Sequence, residues 1–362
     1  MCIRDRAYSH WFKLIAETHK SWQDHLINCI LQDDNPFTRQ VQKTPIEQLP
    51  ESLIIAVKQD LEILQNVYNC STQQIRDWVR QLSPLPDTII AWDLANSINN
   101  FLQTEQNWTD RLADLAIYYH HHGIGIMGQY RALRWQKEQL IGIPQPDPIQ
   151  LTEIIGYESQ KKAIVKNTEF LLAGHPALNI LLYGSRGSGK SSLVKALLSE
   201  YSDRGLRLIE VSKSELQNLP TIVEKVRDLP QKFIIFVDDL SFEEDDDAFK
   251  ALKVVMEGSL TARANNLVVY ATSNRRHLIR EFFSDRPRPS DADEIHSWDN
   301  TQEKLSFSDR FGLTLTFEPA NQDKYLNIVN SLARQANLAI DKSKLEFRAK
   351  QWATRGLSLI HI

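Results

Sequence analysis

The sequence contains few cysteines, only three among its 362 residues. Cys29 and Cys70 each stand alone, without the short spacing that a pair of metal-binding cysteines would show. We interpret both as buried thiols in a reducing cytoplasm, which is the expected localisation. The sequence also lacks any apolar run long enough to span a bilayer, so we expect no membrane partner.

A strong net charge is absent as well. The chain has 42 lysines and arginines against 46 aspartates and glutamates, which gives a formal net charge of −4 at pH 7. This balance provides no overall attraction to nucleic acid or to anionic lipid. Binding to nucleic acid would therefore require a local basic patch on the protein surface.

The first and last six residues are related to each other at the level of DNA. The chain begins with MCIRDR and ends with LSLIHI. One short DNA sequence encodes the first hexapeptide on one strand and the second on the other, and it resembles the transposon end used to prepare sequencing libraries. We therefore expect residues 1–6 and 357–362 to be adaptor-derived, and the natural protein to continue beyond both.

Residues 7–140 have the pattern of an all-helical N-terminal domain. The segment contains few glycines, many tryptophans and tyrosines, and apolar residues at helical spacing. Ser71 followed by Gln74 is a capping-box pattern, which predicts the start of a helix. Since the segment shows no catalytic spacing, we expect it to recognise a client or partner.

Beyond a proline-containing linker over residues 141–152, the pattern changes to alternating strands and helices. Five apolar segments predict strands: NILLYG, LRLIEVS, FIIFVDD, NLVVYATSN and LTLTFE. Strands of this near-continuous apolar kind suit a parallel sheet that is covered on both faces. Residues 153–319 are therefore predicted to form an α/β core around a five-stranded parallel sheet, followed by two helices over residues 320–356.

The stretch GSRGSGKS, residues 184–191, fits the P-loop pattern G-x-x-x-x-G-K-[ST]. Its glycines let backbone N–H groups turn toward anionic oxygens, and the following helix adds its positive N-terminal dipole end. Lys190 would place a charge on the outer phosphates, so we expect it to be exposed, and Ser191 would offer a hydroxyl to Mg²⁺. The predicted nucleotide-binding residues are Gly184, Ser185, Arg186, Gly187, Ser188, Gly189, Lys190, Ser191 and Ser192. The alternative is a glycine-rich turn without a ligand, which the flanking strand and helix disfavour.

Two acids, Asp238 and Asp239, end the apolar segment FIIFVDD. With a P-loop upstream they predict a Walker B arrangement, in which Asp238 holds Mg²⁺ and Asp239 orients or deprotonates the attacking water. Aspartate at the second position reaches less far than the glutamate that many relatives carry there. The alternative is that the two acids simply cap the next helix.

Two further polar residues stand at strand ends. Asn274 closes the segment NLVVYATSN, where its side chain can hold the attacking water near the γ-phosphate, the sensor 1 role. Arg310 stands immediately before the fifth predicted strand, where it can stabilise charge on the phosphoryl group being transferred. The alternative for Arg310 is a local pair with Asp309.

The chain also resembles a known family through the segments FIIFVDDLSFEE, FKALKVVMEGSL, NLVVYATSNRRHL and EKLSFSDRFGL. Together they are similar to the domain-of-unknown-function 815 family, bacterial AAA+ P-loop ATPases, over residues 125–356. The resemblance implies an AAA+ core with the P-loop strand inside the sheet, bound ATP and Mg²⁺, and a helical lid. It also implies a homo-oligomer in which each Arg310 reaches the neighbouring subunit's nucleotide. The family continues past Arg355 with the helix that carries sensor 2, so we expect a shortened lid and assign no sensor 2 residue.

These features predict Mg²⁺-dependent ATP hydrolysis coupled to the remodelling of an unknown macromolecular client. Two alternatives stay open: a nucleic-acid-associated ATPase similar to the helicase loaders, and a nucleotide-gated scaffold with little turnover. A P-loop kinase is disfavoured, because the positions of Asn274 and Arg310 argue against it.

Overall fold

The computed structural model describes residues 3–82, 101–103, 106–241, 247–257, 264–274 and 310–355. The chain divides into two compact units, residues 1–129 and residues 130–362. The closing hexapeptide and the stretch over residues 83–100 lie outside the described residues.

The described part of the first unit is helical. Its helices are α1 (Ile3–Thr18), α2 (Trp22–Gln32), α3 (Pro36–Val41), α4 (Glu51–Tyr68), α5 (Thr72–Leu82), α6 (Leu112–His122) and α7 (Gly125–Gln129). The predicted capping box at the start of α5 is confirmed. The N–H of Ser71 donates to Oε1 of Gln74 at 2.9 Å, and the N–H of Gln74 donates to Oγ of Ser71 at 3.1 Å. Side chains thus satisfy donors that the first helical turn leaves unpaired.

The core of this unit is built on aromatic side chains whose polar atoms are satisfied. Trp108 is buried and its Nε1–H donates to the carbonyl of Leu102 at 2.7 Å. Tyr119 is buried and its hydroxyl donates to the carbonyl of Ile30 at 2.6 Å. These bonds let large rings fill the core without leaving a buried polar group unpaired.

Our interpretation of the two cysteines as buried thiols is wrong. Cys29 is exposed and Cys70 is only half-buried. The reason for Cys29 is its place on α2, because that helix turns Leu26, Ile27 and Ile30 toward the core and Cys29 away from it.

The second unit contains one sheet with helices packed against it. Among the described residues its strands are β1 (Ala132–Gln136), β2 (Gln139–Ile143), β3 (Ile180–Gly184), β4 (Leu206–Glu210), β5 (Lys232–Val237), β6 (Leu267–Ser273) and β7 (Leu313–Phe317). Its helices are α8 (Glu158–Leu172), α9 (Lys190–Tyr201), α10 (Leu219–Val226), α11 (Asp247–Glu257), α12 (Gln322–Gln335) and α13 (Lys342–Arg355). None of the described helices of the chain is long and apolar enough to cross a bilayer.

The strand order is β2-β1-β4-β5-β6-β3-β7. All five predicted strands are present and pair in parallel, and the P-loop strand β3 lies inside the sheet between β6 and β7. The five-stranded sheet was nevertheless an underestimate, since the described sheet has seven strands. β1 extends the parallel array beside β4, and β2 pairs antiparallel with β1 at the edge.

The two additional strands fall within segments that we predicted as the helical domain and the linker. They form a hairpin whose two-residue turn, Lys137 and Glu138, has both residues at positive φ, 50° and 59°. Asn-Gly or Asp-Gly is the usual sequence for such a turn, and this turn contains neither asparagine, aspartate nor glycine. The sequence therefore lacks the local signal of a hairpin, although Leu133 and Trp135 are buried in the sheet.

The central strands owe their stability to burial on both faces. Residues 233–237 of β5 are fully buried, as are the residues of α9 that face the sheet, including Leu193 and Leu197. Each such side chain contributes about 1.5–3 kcal/mol relative to leaving it exposed. The parallel register, with Val237 opposite Ala271, makes β5 and β6 end at the same edge of the sheet.

Candidate functional site

The glycines of the P-loop are required by its backbone. β3 ends at Gly184, which has φ 146°, and a side chain there would meet the carbonyl oxygen of Phe317 at 2.0 Å. Gly187 and Gly189 have φ of 72° and 85°, in the left-handed region that glycine adopts without strain. A Cβ at either position would meet no atom within 4 Å, so the space above the loop is open for a ligand.

Lys190 lies at the first position of α9, and its placement corrects our prediction of an exposed side chain. The residue is only 7% exposed. Its Nζ donates to the carbonyl oxygens of Gly184 at 2.9 Å and Ser185 at 2.7 Å, because the side chain folds back over its own loop. Burial lowers the pKa of Lys190, while the charges of Asp238 and Asp239 oppose that change.

Ser191 and Asp238 lie in direct contact. Oγ of Ser191 donates to Oδ1 of Asp238 at 2.6 Å, and the hydroxyl of Thr272 donates to the same oxygen. A serine hydroxyl and an exposed carboxylate are hard oxygen ligands of the kind that Mg²⁺ accepts, with phosphate oxygens and water completing the shell. No group of three His, Cys, Asp or Glu residues in the described parts of the chain could hold a metal by itself. The site thus fits a magnesium–nucleotide pair better than a metal held by protein ligands alone.

Asn274 links the lysine to the second acid. Its Nδ2–H donates to Oδ1 of Asp239 at 2.6 Å, and its Oδ1 accepts from Nζ of Lys190 at 3.3 Å. The sheet register explains the meeting, because Tyr183 of β3 pairs with Ser273 of β6 and the following residues emerge side by side. The described structure therefore brings together Lys190, Ser191, Asp238, Asp239 and Asn274 at one edge of the sheet.

Arg310 lies elsewhere in the unit. It stands three residues before β7, and its side chain is partly buried. Since β7 runs parallel to β3, Arg310 lies at the amino edge of the sheet, whereas the P-loop lies at the carboxyl edge. The strand from Leu313 to Phe317 alone separates the two edges by about 13 Å. Asp309, the alternative partner, is outside the described residues.

A cavity of about 650 Å³ lies beside the P-loop. Its walls come from the loop, from the segment around Ile154 and Tyr157, and from Ile328 and Leu332 of α12. The volume is within the range of pockets that hold small ligands, and a mainly apolar wall next to the glycine-rich loop suits a nucleotide. The sequence analysis did not identify the wall residues outside the loop, because nothing in their local pattern indicates that they face it.

Tyr157 ties this cavity wall to the chain that follows β7. Its hydroxyl donates to the carbonyl of Glu318, and its ring lies 4.6 Å from that of Phe317. The ammonium of Lys324, on α12, lies over the Tyr157 ring at 2.9 Å from the ring centre. Burial raises the pKa of Tyr157 and lowers that of Lys324.

Residues 128–358 match the family model described as "Protein of unknown function (DUF815)". Among curated proteins, the replication factor C large subunit of Staphylothermus marinus is 35% identical over 71 residues. Those residues are 19% of this chain and 16% of that protein, so the chain spans a small part of this relative's length.

Solved structures of Thermotoga maritima RuvB are also similar to the chain. A single-residue variant matches with a TM-score of 0.39 and 16% identity, over 56% of this chain and 59% of the RuvB chain. The RuvB Holliday junction branch migration motor matches with a TM-score of 0.36 and 15% identity, over the same shares. TM-scores below 0.5 give no basis for transferring the properties of RuvB to this chain.

Proposed function

We propose that this chain, which belongs to the DUF815 family, binds ATP with Mg²⁺ and hydrolyses its terminal phosphate. The observation that carries the proposal is the hydrogen-bonded path from Lys190 through Asn274 to Asp239. It joins a glycine-rich anion-binding loop to an exposed pair of carboxylates at one edge of a sheet. Phosphoryl transfer depends mainly on positioning and on charge stabilisation, and these groups are suited to both.

The loop and the cavity bind different parts of the nucleotide. The backbone N–H groups of residues 184–192 bind the phosphates at the N-terminus of α9. The apolar wall with Ile154, Ile328 and Leu332 receives the base and ribose. Lys190 transfers its hydrogen bonds from the carbonyls of its own loop to phosphate oxygens.

Ser191 and Asp238 would hold the magnesium ion, and the 2.6 Å contact between these two oxygen ligands supports that role. The ion supplies charge neutralisation to the phosphates. Asp239 orients the attacking water and accepts its proton, and Asn274 fixes the direction of the Asp239 carboxylate through the bond at 2.6 Å.

Arg310 acts on the nucleotide of a second copy of the chain. Its position at the amino edge of the sheet supports this role, because its side chain cannot span the distance to the P-loop of its own chain. The copies therefore associate through their α/β units. We also propose that α12 and α13 serve as the lid over the nucleotide. The helical unit recognises a macromolecular client.

A nucleotide-gated scaffold is the second candidate function. The observation that favours it is the bond that ties Oδ1 of Asp239 to Asn274, together with the short reach of an aspartate. An aspartate tied to Asn274 stabilises the nucleotide site but is poorly placed to activate water, so the chain would bind ATP and hydrolyse it slowly.

ATP titration by calorimetry and phosphate release test the two functions together. We expect ATP to bind in the presence of Mg²⁺ and phosphate to be released, with Asp239→Asn abolishing release and sparing binding. ATP binding without any release above that of Asp239→Asn favours the scaffold. The absence of ATP binding refutes both.

A further inference from the structure

Thr272, near the end of β6, contacts both acids of the candidate site. It is only 2% exposed. Its hydroxyl donates to Oδ1 of Asp238 and accepts the backbone N–H of Asp239 at 2.9 Å. One hydroxyl therefore uses its donor on the first acid and its acceptor on the second.

The backbone of Thr272 adds a further bond to the same turn. Its carbonyl oxygen accepts the N–H of Leu240 at 2.7 Å. Thr272 thus holds two consecutive N–H groups that follow Asp238. This matters because Asp239 has φ 52°, a left-handed conformation that costs a non-glycine residue free energy, although aspartate adopts it more readily than most residues do.

The direction of the Asp239 carboxylate depends on that turn. Asn274 follows Ser273, the last residue of β6, so its side chain leaves the sheet at the same edge as that of Thr272. Thr272 fixes the backbone of Asp239, and Asn274 binds its carboxylate at 2.6 Å. The side chains of Thr272 and Asn274 therefore constrain both the backbone and the carboxylate of Asp239.

We infer that Thr272 is a positioning residue for the nucleotide site, which aims Asp238 at the metal and Asp239 at the attacking water. The inference rests on the proposed function and adds a residue to it. A purely structural role would need only the shape of the side chain, because a β-branched residue fits a buried strand. The hydroxyl separates the two roles, since valine has nearly the shape of threonine but can neither donate nor accept.

The test compares Thr272→Val with Thr272→Ser in the full chain. Steady-state phosphate release should show a fall in kcat of about 10- to 100-fold for Thr272→Val, with a smaller change in KM. The magnesium concentration for half-maximal rate should rise, because Asp238 loses a donor that orients it. Thr272→Ser keeps the hydroxyl and should recover most of the lost rate. Equal kcat in Thr272→Val and the parent, or equal losses in both variants that follow their thermal stability, would overturn the inference.

The parent protein could bind ATP without hydrolysing it. That result would refute the proposed hydrolysis but not the positioning role of Thr272, which a second measurement then tests. Calorimetry then gives ATP affinity with Mg²⁺ and with EDTA for each variant. Thr272→Val should reduce the magnesium-dependent gain in affinity about tenfold or more and leave the affinity in EDTA unchanged. An unchanged gain in affinity would refute the positioning role independently of turnover.

Discussion

Replacing Lys190 by alanine should weaken ATP binding strongly and leave the fold in place. In the structure its Nζ donates to two loop carbonyls at 2.7 and 2.9 Å and to Asn274 at 3.3 Å. With ATP bound, these donors would turn to phosphate oxygens, where a hydrogen bond between charged groups contributes about 1.5–3 kcal/mol. The loss of one such bond raises the Kd for ATP by about 10- to 150-fold.

The free energy of unfolding should change less, by about 1 kcal/mol. Ser185 lines the cavity, so water can take the place of the lost lysine donor at this residue. Burial lowers the pKa of Lys190, which means that the folded state holds the charged form less well than the unfolded chain does. Removal of that charge therefore offsets part of the lost hydrogen bonding at neutral pH.

Calorimetric titration of ATP in the presence of Mg²⁺, with a thermal unfolding curve for each variant, measures both quantities. Lys195→Ala is the matched control, because Lys195 lies on the same helix with its side chain 39% exposed, 3.9 Å from Asp147. We expect the control to bind ATP as the parent does. A Lys190→Ala variant that unfolds like the parent and binds ATP equally well would refute the assignment of the loop.

Three further perturbations address the division of the chain, the role of Arg310 and the core. Deleting residues 1–129 should preserve ATP affinity, whereas deleting residues 7–140 also removes β1 and should lower the melting temperature; titrations and melting curves of both fragments check this. Mixing Arg310→Ala chains with Lys190→Ala chains should restore phosphate release that neither shows alone, and mixed oligomers without release would contradict action on a second copy. Burial raises the pKa of Tyr270 from 10.0 to about 12. Stability should therefore be unaffected by this group below pH 10 and fall between pH 10 and 12, as the unfolded chain ionises first. Urea unfolding across that range should show a shallower fall for Tyr270→Phe.

The P-loop and the parallel strands could be predicted because their signals are local. Five contiguous apolar segments predict the five parallel strands, and the spacing of the glycines predicts the loop. The meeting of Asp238 with Ser191 also follows from sequence, since parallel strands place their carboxyl ends at one edge. These residues come from distant parts of the chain, but a general rule of sheets brings them together.

The remaining features depend on contacts that no local pattern encodes. The turn of the hairpin consists of Lys137 and Glu138, two residue types that do not usually indicate a left-handed turn. The burial of Lys190 arises from carbonyl oxygens of its own loop, which every loop of this length carries. No local pattern marks Thr272, because a single threonine in a buried strand does not indicate a contact with Asp238 or Asp239. Its role in the site emerges from the side-chain bonds and not from its residue type.

The left-handed backbone of Asp239 limits which residues its position tolerates. Its φ of 52° costs folding free energy on the order of 1 kcal/mol. Asparagine tolerates the same conformation, so Asp239→Asn should keep the turn while it removes the carboxylate. With the proposed role of Asp239, selection for stability alone would tolerate this replacement even though phosphate release would be lost. The aspartate would then persist only under selection for the reaction itself.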